Sequence, residues 1–495
     1  MLDLLEGLPI DHQYGRQPAV VRPDEPVRLL VQVDPGYREV EVMASVTPGP
    51  IGPEELAQVG ERHRSRGDGP TWLVELPAMP EGAVVHYLVR ATDSRDRIWY
   101  ADGRRPLGAA TVFCHRVTAR RPPEWARRGV MYQIFVDRFS APGDPALRPG
   151  PGHWAGGNLH GVRRAVPYLA DLGVTIVWLT PVFACTSYHG YDVEDLRSVD
   201  PRFGGDRALA DLVEAAHRAG LRVVLDLVPN HLSHRHPWFQ EALSGGPKRD
   251  WFFFRRDGYD TFFGSRGLPK LNLDHPAARR AMIEAARYWL DRFGVDGYRI
   301  DHVLGPSESF LAALAAELNA AHPDAWLFGE ATASAAFIRR FGGLLDGATD
   351  FPTAYALRDL LAGEIDPSDF REVEQEAPGV LSHQDFTWVR FVDNHDMDRA
   401  LSAWGGDPAK LEAGVEMLLG LGGTPCLLYG TEQGLMNRPA GDGLEAVRVP
   451  MNYRDGLGVF VKTRALVRER SAWREQEPWP GVRFRYVPPC SGAGC

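Results

Sequence analysis

The sequence predicts a (β/α)8 barrel preceded by a β-sandwich, and three observations support this fold class. From about residue 130 to about residue 470, apolar strand-like segments alternate with amphipathic helical segments. Before that, short β-rich segments are separated by Pro, Gly and Asp. No G-x-G-x-x-G or G-x-x-x-x-G-K-[ST] loop favours the alternative, a doubly wound nucleotide-binding sheet.

Residues 1–122 are predicted to form the β-sandwich. Its strand candidates are rich in Val, Leu and aromatic residues and read VRLLVQVD, VEVMASV, TWLVELP and VVHYLVRATD. The linker candidate is the segment RRPPEW, around residues 120–125. Short strands at this spacing are typical of a sandwich.

Residues 123–470 are predicted to form the barrel. Seven strand candidates read VMYQIFV, VTIVWLT, LRVVLDLV, VDGYRI, AWLFGE, TWVRFVD and TPCLLYG, and a weaker eighth lies near LLDGATD. The segment 230–275 after the third strand, rich in His, Phe, Gly and Arg, is predicted to be an inserted subdomain. Residues 471–495 have room for only one or two strands, so a C-terminal β domain is expected to be reduced or absent.

Composition excludes several classes of function. The 495 residues are 44% hydrophobic and 24% charged, with a net charge of −10, which argues against a nucleic-acid partner. We see neither a signal peptide nor an apolar stretch long enough to cross a membrane. The five cysteines are scattered without a C-x-x-C pair, so a reduced, cytoplasmic location is expected.

Carboxylates recur where the predicted strands end, which is where barrel enzymes carry their catalytic groups. Asp226, Asp301, Glu330 and Asp396 follow or end the third, fourth, fifth and seventh strands. One such carboxylate could be a helix cap or an arginine partner, but gathering several is costly. Glycoside hydrolysis needs paired carboxylates and no thiol, lysine or cofactor. Arg299 precedes Asp301 by two residues, so on a strand both side chains face one side.

The chain resembles the α-amylase family of glycoside hydrolases over residues 129 to about 470. The short motifs that carry the resemblance occur in order: YHGYD at 188–192, DLVPNH at 226–231, GYRIDH at 297–302, FGEA at 328–331 and FVDNHD at 391–396. The resemblance implies a retaining mechanism in which Asp301 is the nucleophile, Glu330 the general acid/base and Asp396 the transition-state stabiliser. It also implies substrate contacts from the following residues: Tyr191, His231, Arg299, His395 and His189.

The segment LPKLN at 268–272 is similar to a signature of the neopullulanase, cyclomaltodextrinase and maltogenic amylase group. The N-terminal module gives the same domain order. In that group the module resembles a starch-binding domain and commonly packs across the active site of a second subunit. The resemblance therefore implies a homodimer formed through the N-terminal domain and small or cyclic α-glucan substrates.

Three positions depart from the family pattern. Leu304 and Gly305 stand where the group carries Asn-Glu, and Thr332 stands where it carries a tryptophan platform for a sugar. Two interpretations of the aromatic residues in the insert stay open. Trp238, Phe239 or the WFFF run at 251–254 could replace the platform, or these side chains could form a small core at the rim.

The sequence requires no cofactor, although calcium is possible. The family's calcium loop after the first strand reads SAPGDPALRPG here, so Asp144, Gly156 and Asn158 are the candidate ligands. The asparagine ligands usual in the group are not visible.

The expected function is retaining hydrolysis of α-1,4-glucosidic bonds in cyclodextrins, maltodextrins or pullulan. Two alternatives stay open: a 4-α-glucanotransferase or other α-glucosidase of the same family, and a carbohydrate-binding member without catalysis.

Overall fold

The N-terminal part of the chain is a sandwich of two antiparallel sheets. The computed structural model describes residues 10–65, 69–101, 107–140, 147, 153–438, 443–452 and 458–473. One sheet contains Ile10–Asp11, Arg16–Gln17, Val27–Val33 and Thr71–Leu76. The other contains Tyr37–Val46, Glu61–Arg64, Val84–Asp93, Ile98–Tyr100 and Phe113–Arg116. The four strands predicted from the sequence are therefore all present.

Alternating burial explains why these segments form strands. In Val27–Val33 and Thr71–Leu76, every second side chain is buried, so each strand presents one apolar face to the other sheet. Both sheets contribute to a single apolar core that includes Leu29 and Val74 from one and Val42 and Tyr87 from the other. Two sheets packed through such a core form a sandwich, as predicted.

The second part is a closed barrel of eight parallel strands. In chain order they are Met131–Ile134, Ile176–Leu179, Arg222–Leu227, Gly297–Ile300, Trp326–Gly329, Gly347–Thr349, Thr387–Arg390 and Thr424–Leu428. All eight lie within the predicted segments, including the weak sixth candidate. The first strand pairs with the second and with the eighth, which closes the barrel.

Helices connect and surround these strands. The longer ones are Leu159–Leu172, Gly205–Arg218, Pro276–Phe293, Glu308–Ala321, Phe351–Ala362, Pro367–Val380, Pro408–Gly420 and Gly458–Trp473. The shorter α-helices are Pro53–Val59, Glu124–Arg127, Pro237–Leu243, Ala335–Ile338, Ala400–Ala403 and Leu444–Val447. In Gly205–Arg218, buried Leu209, Leu212, Val213 and Ala216 form the apolar face that packs on the barrel.

The predicted insert lies between the third and fourth barrel strands. It contains the helix Pro237–Leu243, the hairpin Phe254–Arg255 with Gly258–Tyr259, and two 3-10 turns, Arg249–Trp251 and Phe262–Gly264. Isolated bridges such as His231 with Lys270 join its two ends beside the barrel mouth. Smaller strand pairs elsewhere are Phe139–Ser140 with Met451–Asn452 and Phe183–Cys185 with Val193–Val199.

The sandwich is fixed to the side of the barrel by buried polar contacts. Arg16 is fully buried and donates to the carbonyl oxygens of Cys114 at 3.2 Å and Arg339 at 3.1 Å. Glu308, in the first turn of a barrel helix, accepts from the backbone N–H of Cys114 at 3.0 Å and pairs with Arg340 at 2.6 Å. Arg16 and Glu308 therefore each make a hydrogen bond that crosses between the sandwich and the barrel.

Two expectations from the sequence concern the C-terminal segment and membrane-spanning helices. Most of the predicted C-terminal remnant, residues 474–495, lies outside the described residues, so the expectation of a reduced C-terminal domain stays a prediction. Within the described part of the chain, no helix combines the length and the apolar character needed to cross a membrane.

Candidate active site

The predicted carboxylates meet at one end of the barrel. Asp226 lies within the third strand, Asp301 and Glu330 follow the last residues of the fourth and fifth, and Asp396 follows the seventh. Because all the strands are parallel, their carboxyl ends open on the same face. At Gly297, a Cβ atom would lie 2.1 Å from the carbonyl oxygen of Trp326. Glycine therefore permits the close approach of the two strands that present Asp301 and Glu330.

The guanidinium of Arg299 connects three of these carboxyls. Its Nη1 lies 2.8 Å from Oδ1 of Asp226 and 2.7 Å from Oδ1 of Asp301, and its Nη2 lies 2.5 Å from Oε1 of Glu330. Arg299 is 1% exposed, so solvent screens these pairs little. A planar guanidinium with several donors is suited to hold carboxyls in fixed positions.

The two carboxyls on Arg299 nearest the barrel mouth each keep one oxygen for other partners. Oδ2 of Asp301 is buried and has no hydrogen-bond partner among the described residues. Oε2 of Glu330 accepts from the backbone N–H of His302 at 3.1 Å. Asp301 therefore presents one oxygen to a bound molecule while Arg299 fixes the other.

Burial raises the pKa of Asp301 and of Glu330, and Arg299 opposes the increase in both cases. Burial also raises the pKa of Asp226, which lies deepest, to about 8. Three carboxyls around one guanidinium cannot all be ionised without a large repulsion. Burial and mutual repulsion therefore favour a proton on part of this carboxyl cluster, and a general acid needs a carboxyl whose pKa is raised.

The pKa of Asp396 is shifted in the opposite direction, downward. Burial alone would raise its pKa, but the groups around it, including the permanently charged Arg448, outweigh burial and hold the pKa below its usual range. Nη2 of Arg448 lies 2.6 Å from Oδ1 of Asp396, and Nε2 of His395 lies 3.3 Å from Oδ2. Arg448 also donates to Tyr188 Oη at 2.9 Å. Asp396 is thus ionised and can stabilise nearby positive charge.

A chain of hydrogen bonds runs across the barrel beneath these carboxyls. Gln133 in the first strand lies 2.6 Å from Nδ1 of His395, and Nε2 of His395 lies 2.6 Å from Oη of Tyr191. Tyr191 donates to Oδ2 of Asp226 at 3.1 Å. When the Tyr191 hydroxyl donates to an ionised Asp226, Nε2 of His395 donates to Tyr191 and Nδ1 accepts from the amide of Gln133. Burial lowers the pKa of His395 to about 3, so the ring is neutral.

The structure brings the other predicted substrate-binding residues to the same place. His231 is buried, its pKa is lowered by burial to about 3, and its ring stacks on Phe262 with centroids 4.5 Å apart. His189 lies beside Tyr191, with the two rings stacked at 6.0 Å. Its Nε2 lies 2.8 Å from Oγ of Ser187. The predicted catalytic and substrate-binding residues therefore lie together at the barrel mouth.

The structure describes only part of the candidate calcium site. Asp144 lies outside the described residues. Oδ1 of Asn158 accepts from the backbone N–H of Gly161 as a helix cap, and its amide donates to the Gly156 carbonyl oxygen at 3.3 Å. The nearby carboxylate of Asp137 is occupied by backbone N–H groups and Arg138. Calcium prefers six to eight oxygens, and the described part of this loop offers no free carboxylate, so calcium binding stays a prediction.

Of the two interpretations of the aromatic residues in the insert, the structure favours the rim core. Phe239 and Phe252 are buried and their rings meet edge to face at 5.0 Å. Trp238 packs against Trp251 at 5.0 Å. Thr332 is exposed beside Glu330. Phe239 and Phe252 are therefore core residues of the insert, whereas Trp238 and Trp251 remain half-buried at its edge.

The departure at Gly305 has a steric cause. A Cβ atom there would lie 2.0 Å from Oδ1 of Asn230, so a larger residue would have to displace the buried side chain of Asn230. Leu304 is partly buried against the barrel core. Neither residue supplies a polar side-chain contact to a substrate.

Sequence reasoning missed two members of the site. Gln133 was read only as part of the strand YQIFV, although a glutamine inside a buried strand is a signal of a buried polar partner. Arg448 belongs to a loop after the eighth strand, where no strand-end pattern marked it. Its sequence position, far from Asp396, gave no sign of the ion pair.

Comparisons with known proteins agree with this geometry. The catalytic-domain model of the alpha-amylase family matches residues 133–261 and 255–477. Alpha-amylase 2 of Dictyoglomus thermophilum is 35% identical over 283 residues, covering 56% of this chain and 50% of that protein. Neopullulanase 2 of Thermoactinomyces vulgaris is 32% identical over 396 residues, covering 73% of this chain and 66% of that protein. A solved cyclomaltodextrinase superposes with a TM-score of 0.68 at 26% identity, covering 95% of this chain and 85% of that one.

Paired carboxyls at the carboxyl-terminal face of a parallel barrel are the arrangement that glycoside hydrolases use. Within that class, the chain belongs to the α-amylase family. It spans about half to two thirds of the length of the curated relatives named above.

Proposed function

We propose that the protein is a retaining α-glucan hydrolase that cleaves α-1,4-glucosidic bonds in cyclodextrins, maltodextrins or pullulan. The observation that carries this proposal is the sharing of the Arg299 guanidinium by Asp301 and Glu330. Two carboxyls held by one guanidinium favour the short spacing, about 5–5.5 Å, of retaining glycosidases. Relatives named cyclomaltodextrinase and neopullulanase support the substrate class.

In the first step, Oδ2 of Asp301 attacks the anomeric carbon and forms a covalent glycosyl–enzyme ester. Glu330 gives its proton to the glycosidic oxygen, so the leaving sugar departs as a neutral alcohol. Positive charge develops on the sugar ring in the transition state, and ionised Asp396 stabilises it. Arg299 keeps the other oxygen of Asp301 in place throughout.

In the second step, Glu330 is ionised and takes a proton from water, which attacks the same carbon and releases Asp301. The double displacement retains the anomeric configuration. Every group required is a side chain of the barrel, so we propose that catalysis needs no cofactor. Activity that survives extensive treatment with a calcium chelator is expected; its complete loss would instead support the predicted calcium site.

The test is product chromatography after incubation with β-cyclodextrin, soluble starch and pullulan in parallel. Fast opening of cyclodextrin to maltose and glucose, with poor use of starch, supports the cyclomaltodextrinase type. A preference for starch would instead indicate an active-site cleft that is open to long linear chains. Longer chains formed from a short acceptor, with little reducing sugar released, would instead support the 4-α-glucanotransferase alternative. The absence of any turnover would support the carbohydrate-binding alternative.

We also propose a homodimer formed through the N-terminal sandwich and a cytoplasmic location. The dimer proposal is supported by the domain order shared with the relatives, and light scattering at micromolar concentration tests it, since a monomer would contradict it. The location is supported by the free, buried Cys114, Cys185 and Cys426 and by a relative named intracellular maltogenic amylase. Cell fractionation tests it.

A further inference from the structure

Phe263 in the insert is exposed and held in an unfavourable backbone conformation. Its side chain is 76% exposed, the largest value among the exposed large hydrophobic residues of the described chain. Its φ angle is +43°, in the left-handed region that bulky residues avoid. An exposed aromatic ring on a strained backbone is unfavourable for stability alone, and such strain concentrates at functional sites.

The ring of Phe263 contacts His302, the one other non-glycine residue with a positive φ angle in the described part of the barrel. Among the non-glycine residues from 123 onward that the structure describes, only Phe263 and His302 have positive φ angles, +43° and +41°. Their rings lie 5.3 Å apart in an edge-to-face arrangement. The two strained positions are therefore a single contact, formed between the insert and the loop after the fourth strand.

This contact lies beside the proton donor. His302 directly follows Asp301, and its backbone N–H donates to Oε2 of Glu330 at 3.1 Å. Glu330 protonates the oxygen of the departing sugar, so the residues around it border the leaving-group side of the scissile bond. Because Phe263 contacts His302, it lies on the leaving-group side of the scissile bond.

The turn that carries Phe263 is closed by backbone hydrogen bonds. The N–H of Phe262 donates to the carbonyl oxygen of Leu268 at 2.9 Å, and that of Ser265 donates to Phe262 at 2.9 Å. The hydroxyl of Tyr259 donates to the carbonyl oxygen of Arg266 at 2.8 Å. The ring of Phe263 is thus presented on a defined turn.

We propose that Phe263 is the aromatic platform on which the glucose ring of the leaving group stacks, an inference that rests on the proposed function. A pyranose has an apolar face of C–H groups that packs on an aromatic ring, while its hydroxyls remain in water. Phe263 supplies, beside Glu330, the exposed aromatic surface that Thr332 lacks. The same surface would bind the acceptor sugar during transglycosylation.

The experiment compares substrates with and without a sugar as leaving group in wild-type protein and Phe263→Ala. With maltotetraose or β-cyclodextrin, we expect kcat/KM to fall about five- to tenfold. With α-maltosyl fluoride, whose leaving group is fluoride, we expect a change of less than about twofold. Transfer to added maltose should fall together with the cyclodextrin activity, and Phe263→Trp should restore both.

Leu243→Ala is the matched control, because Leu243 is an exposed apolar residue of the same insert at 51% exposure. This variant should keep the wild-type kcat/KM on both substrates. Equal losses on fluoride and sugar substrates, or no loss on either, would overturn the platform. No loss of activity combined with a shift from dimer to monomer would assign Phe263 to a subunit contact and also overturn it. A wild-type protein that fails to hydrolyse α-maltosyl fluoride would count against the proposed function itself.

Backbone strain gives a second, independent readout. Phe263→Gly removes the ring and relieves the left-handed conformation, whereas Phe263→Ala removes the ring alone. Both should lose the sugar-specific activity, and the glycine variant should have the higher Tm. Equal Tm values would contradict the strain on which the argument depends.

Discussion

Nη1 of Arg299 donates to Oδ1 of Asp301 at 2.7 Å. This bond leaves Oδ2 of Asp301 as the oxygen without a hydrogen-bond partner among the described residues. Asp301 directly follows the fourth barrel strand and stands two positions after Arg299, so continuing the strand geometry places both side chains on one side. The nucleophile is therefore oriented before any substrate binds.

Asp301→Asn should abolish turnover without unfolding the protein. The amide can keep a contact near Arg299 but cannot form the ester, so we expect kcat to fall on the order of 10⁴-fold. Steady-state assays on β-cyclodextrin check the rate, and circular dichroism checks the fold. A folded variant with more than a few per cent of wild-type activity would rule out Asp301 as the nucleophile.

The pH–rate profile should be bell-shaped, because Asp301 must be ionised and Glu330 protonated. Burial raises the pKa of both groups, so both limbs should lie above the pH values of ordinary carboxyls. Arg299 lowers the pKa of Asp301; removing its charge in Arg299→Gln should therefore move the acid limb to higher pH. If this variant does not fold, Arg299→Lys, which keeps the charge, should be folded and less active with a smaller shift. An acid limb that moves to lower pH would contradict the account.

Gln133 is expected to act by fixing the tautomer of His395. Gln133→Glu replaces the amide donor with a carboxylate acceptor, which favours a proton on Nδ1 and removes the donor that faces Tyr191. We expect kcat to fall about 10- to 100-fold while KM changes less. Nitrogen-15 NMR of the histidine ring reports the tautomer directly.

Gln133→Met is the matched control for that variant, since it fills a similar space without reversing the polarity. It should lose less activity than Gln133→Glu. Equal losses, with an unchanged tautomer, would show that Gln133 acts through packing alone.

His86, where the sandwich meets the barrel, should make stability depend on pH. Burial lowers its pKa to about 4, and neither ring nitrogen has a hydrogen-bond partner among the described residues. A histidine with a lowered folded-state pKa contributes fully above its unfolded pKa near 6.5, and this contribution is lost as the pH falls toward 4. Wild-type protein should therefore lose more stability between pH 7 and pH 5 than His86→Leu does. The difference should be on the order of 1–2 kcal/mol in the free energy of unfolding, and the pH dependence of Tm reports it.

His153→Leu, at an exposed position, is the comparison for that measurement and should leave the pH dependence of Tm unchanged. If His86→Leu and wild-type protein lose stability in parallel as the pH falls, protonation of His86 does not contribute.

Much of the fold could be predicted because its determinants are local. Eight apolar segments alternate with amphipathic helices, and even the weak LLDGATD segment forms Gly347–Thr349. The catalytic candidates were found because a parallel barrel places strand ends on one face, so that order along the chain predicts proximity in space.

Contacts between distant segments could not be predicted in this way. The pair between Arg448 and Asp396 spans 52 positions, and the contact between Phe263 and His302 joins an insert to a barrel loop. Neither leaves a periodic signal, since each depends on how two loops cross. The open question about the aromatic residues of the insert was of the same kind, and burial assigns Phe239 and Phe252 to the rim core.

The most direct test of the central claim is the anomeric configuration of the first product. Proton NMR during hydrolysis of β-cyclodextrin or maltotetraose resolves the new reducing end before mutarotation. Paired carboxyls on Arg299 predict that the α-anomer appears first and the β-anomer grows in later. Initial release of the β-anomer would mean single displacement by water and would contradict the role of Asp301 as nucleophile.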